Sequence, residues 1–331
     1  MNETVKLYTP GRPEPRIVAI GGGHGLSAML RGLKRHTRYI TAVVTVADDG
    51  GGSGMLREDL GMLPPGDIRN CILALSNAEP TMEKLLEHRF SEGSLAGQSF
   101  GNLFLAAMNS ISGSFDEAVH RMGDVLNITG RVLPVTNQNV YLEAEFENGS
   151  RCLGESKIFY AKKMQNCRIK QVRLVPEHPQ ALPESLEAIR DADMIILGPG
   201  SLYTSIIPNF LVDGISEAVA ASRAKKLLVM NIMTQDGETE DYTGADHVRA
   251  ILRHGLPGIV DVCIANNRSL DEKTLEPYRQ EGVGPIDLDR EAIEAMGIDV
   301  REYPLAVGER YIRHDSDALA DAIMEVYESL R

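Results

Sequence analysis

A doubly wound, mostly parallel α/β sheet is the fold class this chain predicts. Short apolar runs with strand character alternate with helical patterns through most of the sequence, and glycine-rich turns stand where strands hand over to helices. At 331 residues the chain is long for one domain, yet α/β domains reach this length with insertions. The expected organisation is a flexible N-terminal segment over residues 1–15 and one domain over 16–331, with a β-rich excursion at about 127–176.

Arg16 to Ile20 is a short buried-strand pattern, and Leu26 to Leu33 carries apolar residues at helical spacing. The second strand runs from Ile40 to Val46. Asp67 opens a helix carrying Ile68, Cys71, Ile72 and Leu75, and helical patterns cover Thr81–Arg89, Gln98–Ile111 and Phe115–Leu126. Ile128–Val135, Val140–Phe146 and Ile169–Val175 alternate as strands, with Asn148-Gly149 as a turn signal, so a small antiparallel excursion is expected. The α/β rhythm then returns. Helices are expected at Pro183–Asp191, Ser205–Ser222 and Gly244–His254, and strands at Met194–Leu197, Leu227–Ile232 and Val260–Ala265.

The chemistry-bearing segments cluster in the turns. Gly21-Gly22-Gly23-His24-Gly25 lies between the first strand and helix, where glycine permits close backbone approach to an oxyanion and the helix start favours negative charge. From Gly23 the spacing fits G-x-G-x-x-A, and Asp48, 25 positions later at the end of the next strand, stands where such folds hold a ribose hydroxyl. That fingerprint alone allows NAD as the bound nucleotide; a turn that merely packs helix on sheet is the bland alternative. His24, inside the loop, has ring nitrogens that would donate to a phosphate.

Asp48-Asp49-Gly50-Gly51-Gly52-Ser53-Gly54 adds paired carboxylates, suited to Mg²⁺, and glycines with Ser53, suited to phosphate. Pro64-Pro65-Gly66-Asp67-Ile68-Arg69-Asn70 supplies Asp67 as a third metal candidate, with a helix N-cap as its alternative role. Arg69, one turn into that helix, suits bidentate phosphate binding, and Asn102 lies early in the Gln98–Ile111 helix, facing a ligand. Gly198-Pro199-Gly200-Ser201-Leu202-Tyr203-Thr204 is a second glycine-rich strand-to-helix turn, with Ser201 or Thr204 as phosphate contacts or helix caps. Asn231 and Thr234 end the next strand on the same rim, where they would read a base or sugar or build the loop.

Composition narrows the class. A 43% hydrophobic and 24% charged chain has ample core and no sign of disorder. A formal net charge of -13 opposes non-specific attraction to nucleic acid or anionic membranes, so phosphate must be gripped by local amides and a few arginines. Cys71, Cys152, Cys167 and Cys263 lack metal or redox spacing and are expected as thiols in a reducing compartment. Met1 to Pro15 lacks the apolar stretch of a signal peptide, and the longest apolar-rich run, Ile40 to Ala47, is too short to span a bilayer. A cytoplasmic location is expected. His247 and His254, seven apart, lack the spacing of a helical metal pair.

Several of these motifs together resemble the bacterial gluconeogenesis factor family. The resemblance rests on Ala19-Ile-Gly-Gly-Gly-His-Gly-Leu-Ser, Ala47-Asp-Asp-Gly-Gly-Gly-Ser-Gly, Pro64-Pro-Gly-Asp-Ile-Arg-Asn, Gly101-Asn-Leu, Leu197-Gly-Pro-Gly-Ser-Leu-Tyr-Thr-Ser and Asn231-Ile-Met-Thr-Gln. It spans residue 16 almost to the C-terminus and is similar, more distantly, to the 2-phospho-lactate transferases of deazaflavin cofactor synthesis. The resemblance implies a Rossmann-like, three-layer αβα protein that binds a UDP-sugar, notably UDP-N-acetylglucosamine. It also implies a regulatory link from gluconeogenic carbon supply to cell-wall precursors and cell shape, exerted on a partner protein. A homo-oligomer is allowed. Through the resemblance, Tyr278 and Arg313 become sugar-nucleotide contacts, and Asp48, Asp49 and Asp67 map onto magnesium-binding aspartates of the transferases. Two functions follow: a ligand-sensing regulator, which is favoured, or a Mg²⁺-dependent transferase acting on a phosphate or nucleotide diphosphate.

Overall fold

The computed structural model describes residues 14–308 and 311–331; most of the expected N-terminal segment, 1–15, lies outside them. In chain order, β1 (Ile17–Gly21) leads through α1 (Gly23–Leu33) to β2 (Ile40–Val44). The helices α2 (Gly51–Leu60), α3 (Gly66–Leu75), α4 (Pro80–Glu87), α5 (Phe100–Ser110) and α6 (Phe115–Val125) precede β3 (Arg131–Pro134). An antiparallel unit follows, made of β4 (Tyr141–Phe146), β5 (Arg151–Leu153), α7 (Glu155–Gln165) and β6 (Ile169–Val175). From α8 (Pro183–Asp191) the chain returns to β7 (Met194–Leu197), then passes a wide helical turn at Leu202–Ile206, α9 (Ile207–Phe210) and α10 (Ile215–Ala221). The last third holds β8 (Lys225–Val229), α11 (Gly244–His254), β9 (Val262–Asn266), α12 (Glu272–Gln280), α13 (Arg290–Glu294) and β10 (Asp299–Tyr303). A short hairpin, β11 (Ala306–Val307) with β12 (Arg313–His314), precedes α14 (Ser316–Ser329).

Among the described residues seven strands form the central sheet in the order β10-β9-β8-β7-β1-β2-β3, and every pairing in it is parallel. β1 and β2 are buried along their whole length, which is why both read as continuous apolar runs rather than alternating ones. From β1 the chain moves outward to β2 and β3, then comes back to pair β7 on the other flank of β1. Strand order therefore reverses between β1 and β7, the place where open α/β sheets hold ligands.

Helix α1 covers this centre with Leu26, Met29, Leu30 and Leu33, spaced i, i+3, i+4 and i+7 and all fully buried. Each such side chain contributes roughly 1.5–3 kcal/mol relative to exposure. On its outer side Gly32 lets α14 pack backbone to helix, since a Cβ there would fall 1.9 Å from the Ser316 carbonyl oxygen. In β4 alternate residues, Leu142, Ala144 and Phe146, face the interior, giving the half-buried pattern of an antiparallel strand.

Two expectations change. The excursion is smaller than residues 127–176, because β3 joins the central sheet with Thr41 opposite Arg131, leaving β4, β5 and β6 as the antiparallel part. The single helix expected over Ser205–Ser222 is broken. Pro208 lacks the amide an uninterrupted helix needs, and Gly214 takes a left-handed φ of 92°.

The turns after β1 and β7 touch. A Cβ on Gly25 would lie 2.6 Å from the Pro199 carbonyl oxygen, and one on Gly200 would lie 3.2 Å from that of Gly22. The expected cost of Gly25→Ala is about 1–3 kcal/mol, because backbone must move. Gly284→Ala, whose Cβ would meet nothing within 4 Å, should cost less than about 0.5 kcal/mol. Urea unfolding of both variants checks this, and equal costs would remove the steric explanation.

Candidate functional site

The sequence-expected residues separate into two neighbouring groups at the carboxyl ends of the strands. His24, Gly25, Gly200, Ser201, Asn231, Thr234, Tyr278 and Arg313 line one cavity of about 520 Å³. Gly21, Gly22, Gly23 and Gly198 do not line it and hold the turns behind it: Gly198 N–H donates to the Ile20 carbonyl at 2.9 Å, and Asn209 Nδ2 donates to the Gly21 carbonyl at 3.3 Å. Asp48, Asp49, Gly51, Gly52, Ser53, Asp67, Arg69 and Asn102 lie beyond the first turn, toward α2, α3 and α5.

In the first group several side chains build the cavity by holding backbone. Asn231 locks the second glycine turn by both ends of its amide, accepting from Gly200 N–H at 3.2 Å and donating to the Gly200 carbonyl at 2.8 Å. Thr234 exchanges hydrogen bonds with Gly284, closing the loop after β8. The Tyr278 hydroxyl accepts from Ile312 N–H at 2.6 Å, so it positions the strand that carries Arg313. His314 next to it is buried and donates from Nε2 to the Met230 carbonyl, 3.1 Å away; burial pushes its pKa down to about 4. Arg313 is thus presented at the cavity from a strand pinned on both sides. His24 is exposed at the rim.

The capping roles considered for Ser201 and Thr204 fall to a residue the sequence reading missed. Ser201 has no capping bond and donates instead to Gln235 Oε1 at 2.7 Å. The carboxylate of Glu238, 4% exposed, accepts the amides at the start of the helical turn, with Tyr203 N–H at 2.7 Å. Burial raises its pKa to about 7 despite those bonds. Thr204 donates toward Glu155, another residue not foreseen. No sequence spacing marks either glutamate, because each comes from an element remote in the chain.

Asp67 is likewise not an N-cap. It is the second residue of α3, whose cap position is Pro65, and its carboxylate accepts from Gly23 N–H in the first glycine turn. A Cβ on Gly22 would fall 2.5 Å from Asp67 Oδ2, so the turn is glycine partly to admit this carboxylate. Asp48 accepts from Gly50 N–H at 2.8 Å, and Asp49 accepts from Ser156 N–H at 2.8 Å, tying α7 to the site. Glu155, beside Ser156, completes an acidic group. Burial, then the neighbouring Asp48 charge, raises Asp67 to about 7; burial, then Asp48 and Asp49, raises Glu155 to about 8. Asp48 is also raised, mainly by burial.

Among the described residues no three His, Cys, Asp or Glu side chains converge closely enough to hold a metal ion by themselves. The carboxylates nevertheless fit Mg²⁺ as that ion is often bound, through one or two carboxylates with water and phosphate completing the shell. Asp48 and Asp67 would hold it, and the ion would offset the Asp48 charge that, after burial, raises the Asp67 pKa.

The fold and its cleft define a Rossmann-like α/β protein with its site at a topological switch point. Residues 17–306 match the family model described as 2-phospho-L-lactate transferase CofD. The chain is 54% identical over 315 residues to a putative gluconeogenesis factor of Thermoanaerobacterium thermosulfurigenes, covering 95% of this chain and 97% of that protein. It is 48% identical over 315 residues to the gluconeogenesis factor of Bacillus subtilis, covering 95% and 98%. A crystal structure of a UPF0052 family member from Bacillus halodurans superposes with a TM-score of 0.90 at 44% identity, covering 95% of this chain and all of that one. The chain belongs to the gluconeogenesis factor family.

The raised carboxyls set a pH dependence. In the folded state Asp67, Glu155 and Glu238 keep protons that the unfolded chain releases, so their contribution is present at low pH and lost as pH rises through about 7 to 8. The melting temperature should fall between about pH 5 and pH 8, on account of these three groups, and level off above. Asp67→Asn should raise it by roughly 2–4 °C at the alkaline end, and Mg²⁺ should then stabilise the native chain but not the variant. Thermal melts across pH check this; a flat native profile would contradict it.

Proposed function

We propose that the cavity between the two glycine turns binds a nucleotide sugar, UDP-N-acetylglucosamine being the expected one, and that occupancy makes the chain a regulator of a partner protein. The observation that carries this reading is the meeting of two phosphate-type turns, from β1 and β7, on one cavity of about 520 Å³. Amides of His24, Gly25 and Ser201 supply neutral donors for a diphosphate, and Arg313 a charged one. Gln235 and Tyr278 bring an amide and a hydroxyl group within reach of the uracil and sugar, while Asn231 holds the second turn in place. In a chain of net charge -13, this local convergence of donors is what makes an anion welcome.

The link to carbon supply, cell-wall precursors and cell shape follows the family resemblance and the gluconeogenesis factor name of the relatives. Regulation requires that the ligand bind two states of the chain unequally. The cleft is suited to that, since its walls come from α1, the β7 turn, the loop after β8, and the segment carrying Arg313. Among the described residues no helix is long and apolar enough to cross a membrane.

The acidic group favours a second reading, a Mg²⁺-dependent transferase, in which Asp48 and Asp67 would hold the ion and Arg69 would meet developing charge. NAD, suggested by the glycine fingerprint, belongs in the same titrations. Calorimetry with UDP-N-acetylglucosamine, NAD and GDP, with and without Mg²⁺, separates the readings. The expected outcome is Mg²⁺-independent UDP-sugar binding without product, weakened by about 1.5–3 kcal/mol in Arg313→Ala and preserved in Asp49→Asn. Mg²⁺-dependent turnover abolished by Asp49→Asn would establish the transferase instead.

A further inference from the structure

A second set of polar groups, outside the cavity lined by Arg313, is arranged as if for a ligand. Helix α2 opens with Gly51-Gly52-Ser53 and has no side-chain cap, so its first-turn amides point outward with the positive end of the helix dipole. Gln98 faces that turn. It is 7% exposed, its Oε1 has no hydrogen-bond partner, and a Cβ on Gly52 would lie only 3.0 Å from that oxygen. Asn102, 3% exposed, has its backbone N–H held by Ser99 Oγ at 3.3 Å while its side-chain Oδ1 is unpartnered. Arg69 Nε is buried and unpartnered as well. Its stem lies against Gly101, where a Cβ would be 2.6 Å from Arg69 Cδ, so α3 delivers the guanidinium beside the start of α5.

Native proteins leave few buried polar atoms unsatisfied, and here three fall in one neighbourhood contributed by α3 and by the chain entering α5. Gly51 is the way in: it is exposed, and nothing lies within 4 Å of where its Cβ would be. Among the described residues neither Arg69 nor Arg89 has a carboxylate at salt-bridge distance, and Arg89 is near enough to lower the pKa of Arg69. Asp67 and Glu87 are also within electrostatic reach of Arg69, so one anionic group is favoured over a polyanion.

We propose that the α2 N-terminus, Gln98, Asn102 and Arg69 form a second ligand site, which takes a small anion carrying adjacent hydroxyl groups. Arg69 Nε and the α2 amides meet the anionic oxygens; the side-chain carbonyls of Gln98 and Asn102 accept from the hydroxyls. This site does not depend on what the larger cavity binds. Glycerol 3-phosphate, inorganic phosphate and glycerol serve as probes by calorimetry and thermal melting of the full chain.

Glycerol 3-phosphate should bind more tightly than inorganic phosphate, and glycerol should not bind. Arg69→Met and Gln98→Met should each weaken glycerol 3-phosphate by at least about tenfold, while Arg313→Ala leaves it unchanged. UDP-N-acetylglucosamine binding should be unchanged in Gln98→Met and weakened in Arg313→Ala, so each site can fail without the other. Without ligand, Gln98→Met should melt at or above the native temperature, because it removes an unsatisfied group without leaving a gap. Binding unaffected by both substitutions, no binding of either phosphate probe, or a clear loss of stability in Gln98→Met would overturn the proposal; the last would mean that the amide is satisfied by water and serves packing.

Discussion

Everything at the functional end of this molecule depends on the close approach of two glycine turns at the reversal of strand order. A parallel sheet that grows outward in both directions from β1 must bring the loops after β1 and β7 together. Side chains at Gly22, Gly25 or Gly200 would drive into Asp67, Pro199 or the first turn itself. With glycine there, backbone amides rather than side chains face the cleft, and neighbouring loops supply the finishing groups. Asn231 fixes the second turn, Glu238 caps the helix behind it, and Asp67 braces the first. The site is a product of topology, and its residues come from nearly the whole length of the chain.

Electrostatics gives the cleft two unlike sides. Toward Arg313 the walls offer amides, hydroxyls and a guanidinium to an anion. Toward α2 and α7 burial, and then the charge of neighbouring carboxylates, raises Asp67 to about 7 and Glu155 to about 8. An anionic ligand spanning the turns would meet the first side with its phosphates, while a cation would be drawn to Asp48 and Asp67. Helix α7 touches both: Ser156 binds Asp49, and Lys163 pairs with Asp236 at 2.7 Å on the cavity wall. The outer side of the same helix exposes Tyr160 and Met164.

The sheet and its glycine turns were legible in the sequence because fully buried parallel strands are continuous apolar runs and glycine marks the turns between strand and helix. Helix α1 and strand β4 followed from periodicity alone. What escaped was long-range. Nothing near Glu238 or Glu155 in the sequence indicates that one caps the turn after β7 and the other meets Thr204 and the aspartates. Asp67 after Pro-Gly has the local look of a cap, yet tertiary packing turns its carboxylate to Gly23. The placement of β3 in the central sheet also depends on a strand distant in the chain, whereas the break after Phe210 had local signals in Pro208 and Gly214. Tyr278 and Arg313, suggested by resemblance, do reach the same cavity, because the β11–β12 hairpin folds back over the loop after β8.

The most direct measurement is a crystal structure of the chain grown with UDP-N-acetylglucosamine. The account predicts diphosphate oxygens within hydrogen-bond distance of the amides of His24 and Gly25 in the first turn and Ser201 in the second, with Arg313 turned toward them. A nucleotide seated away from both glycine turns, or on one of them alone, would contradict it.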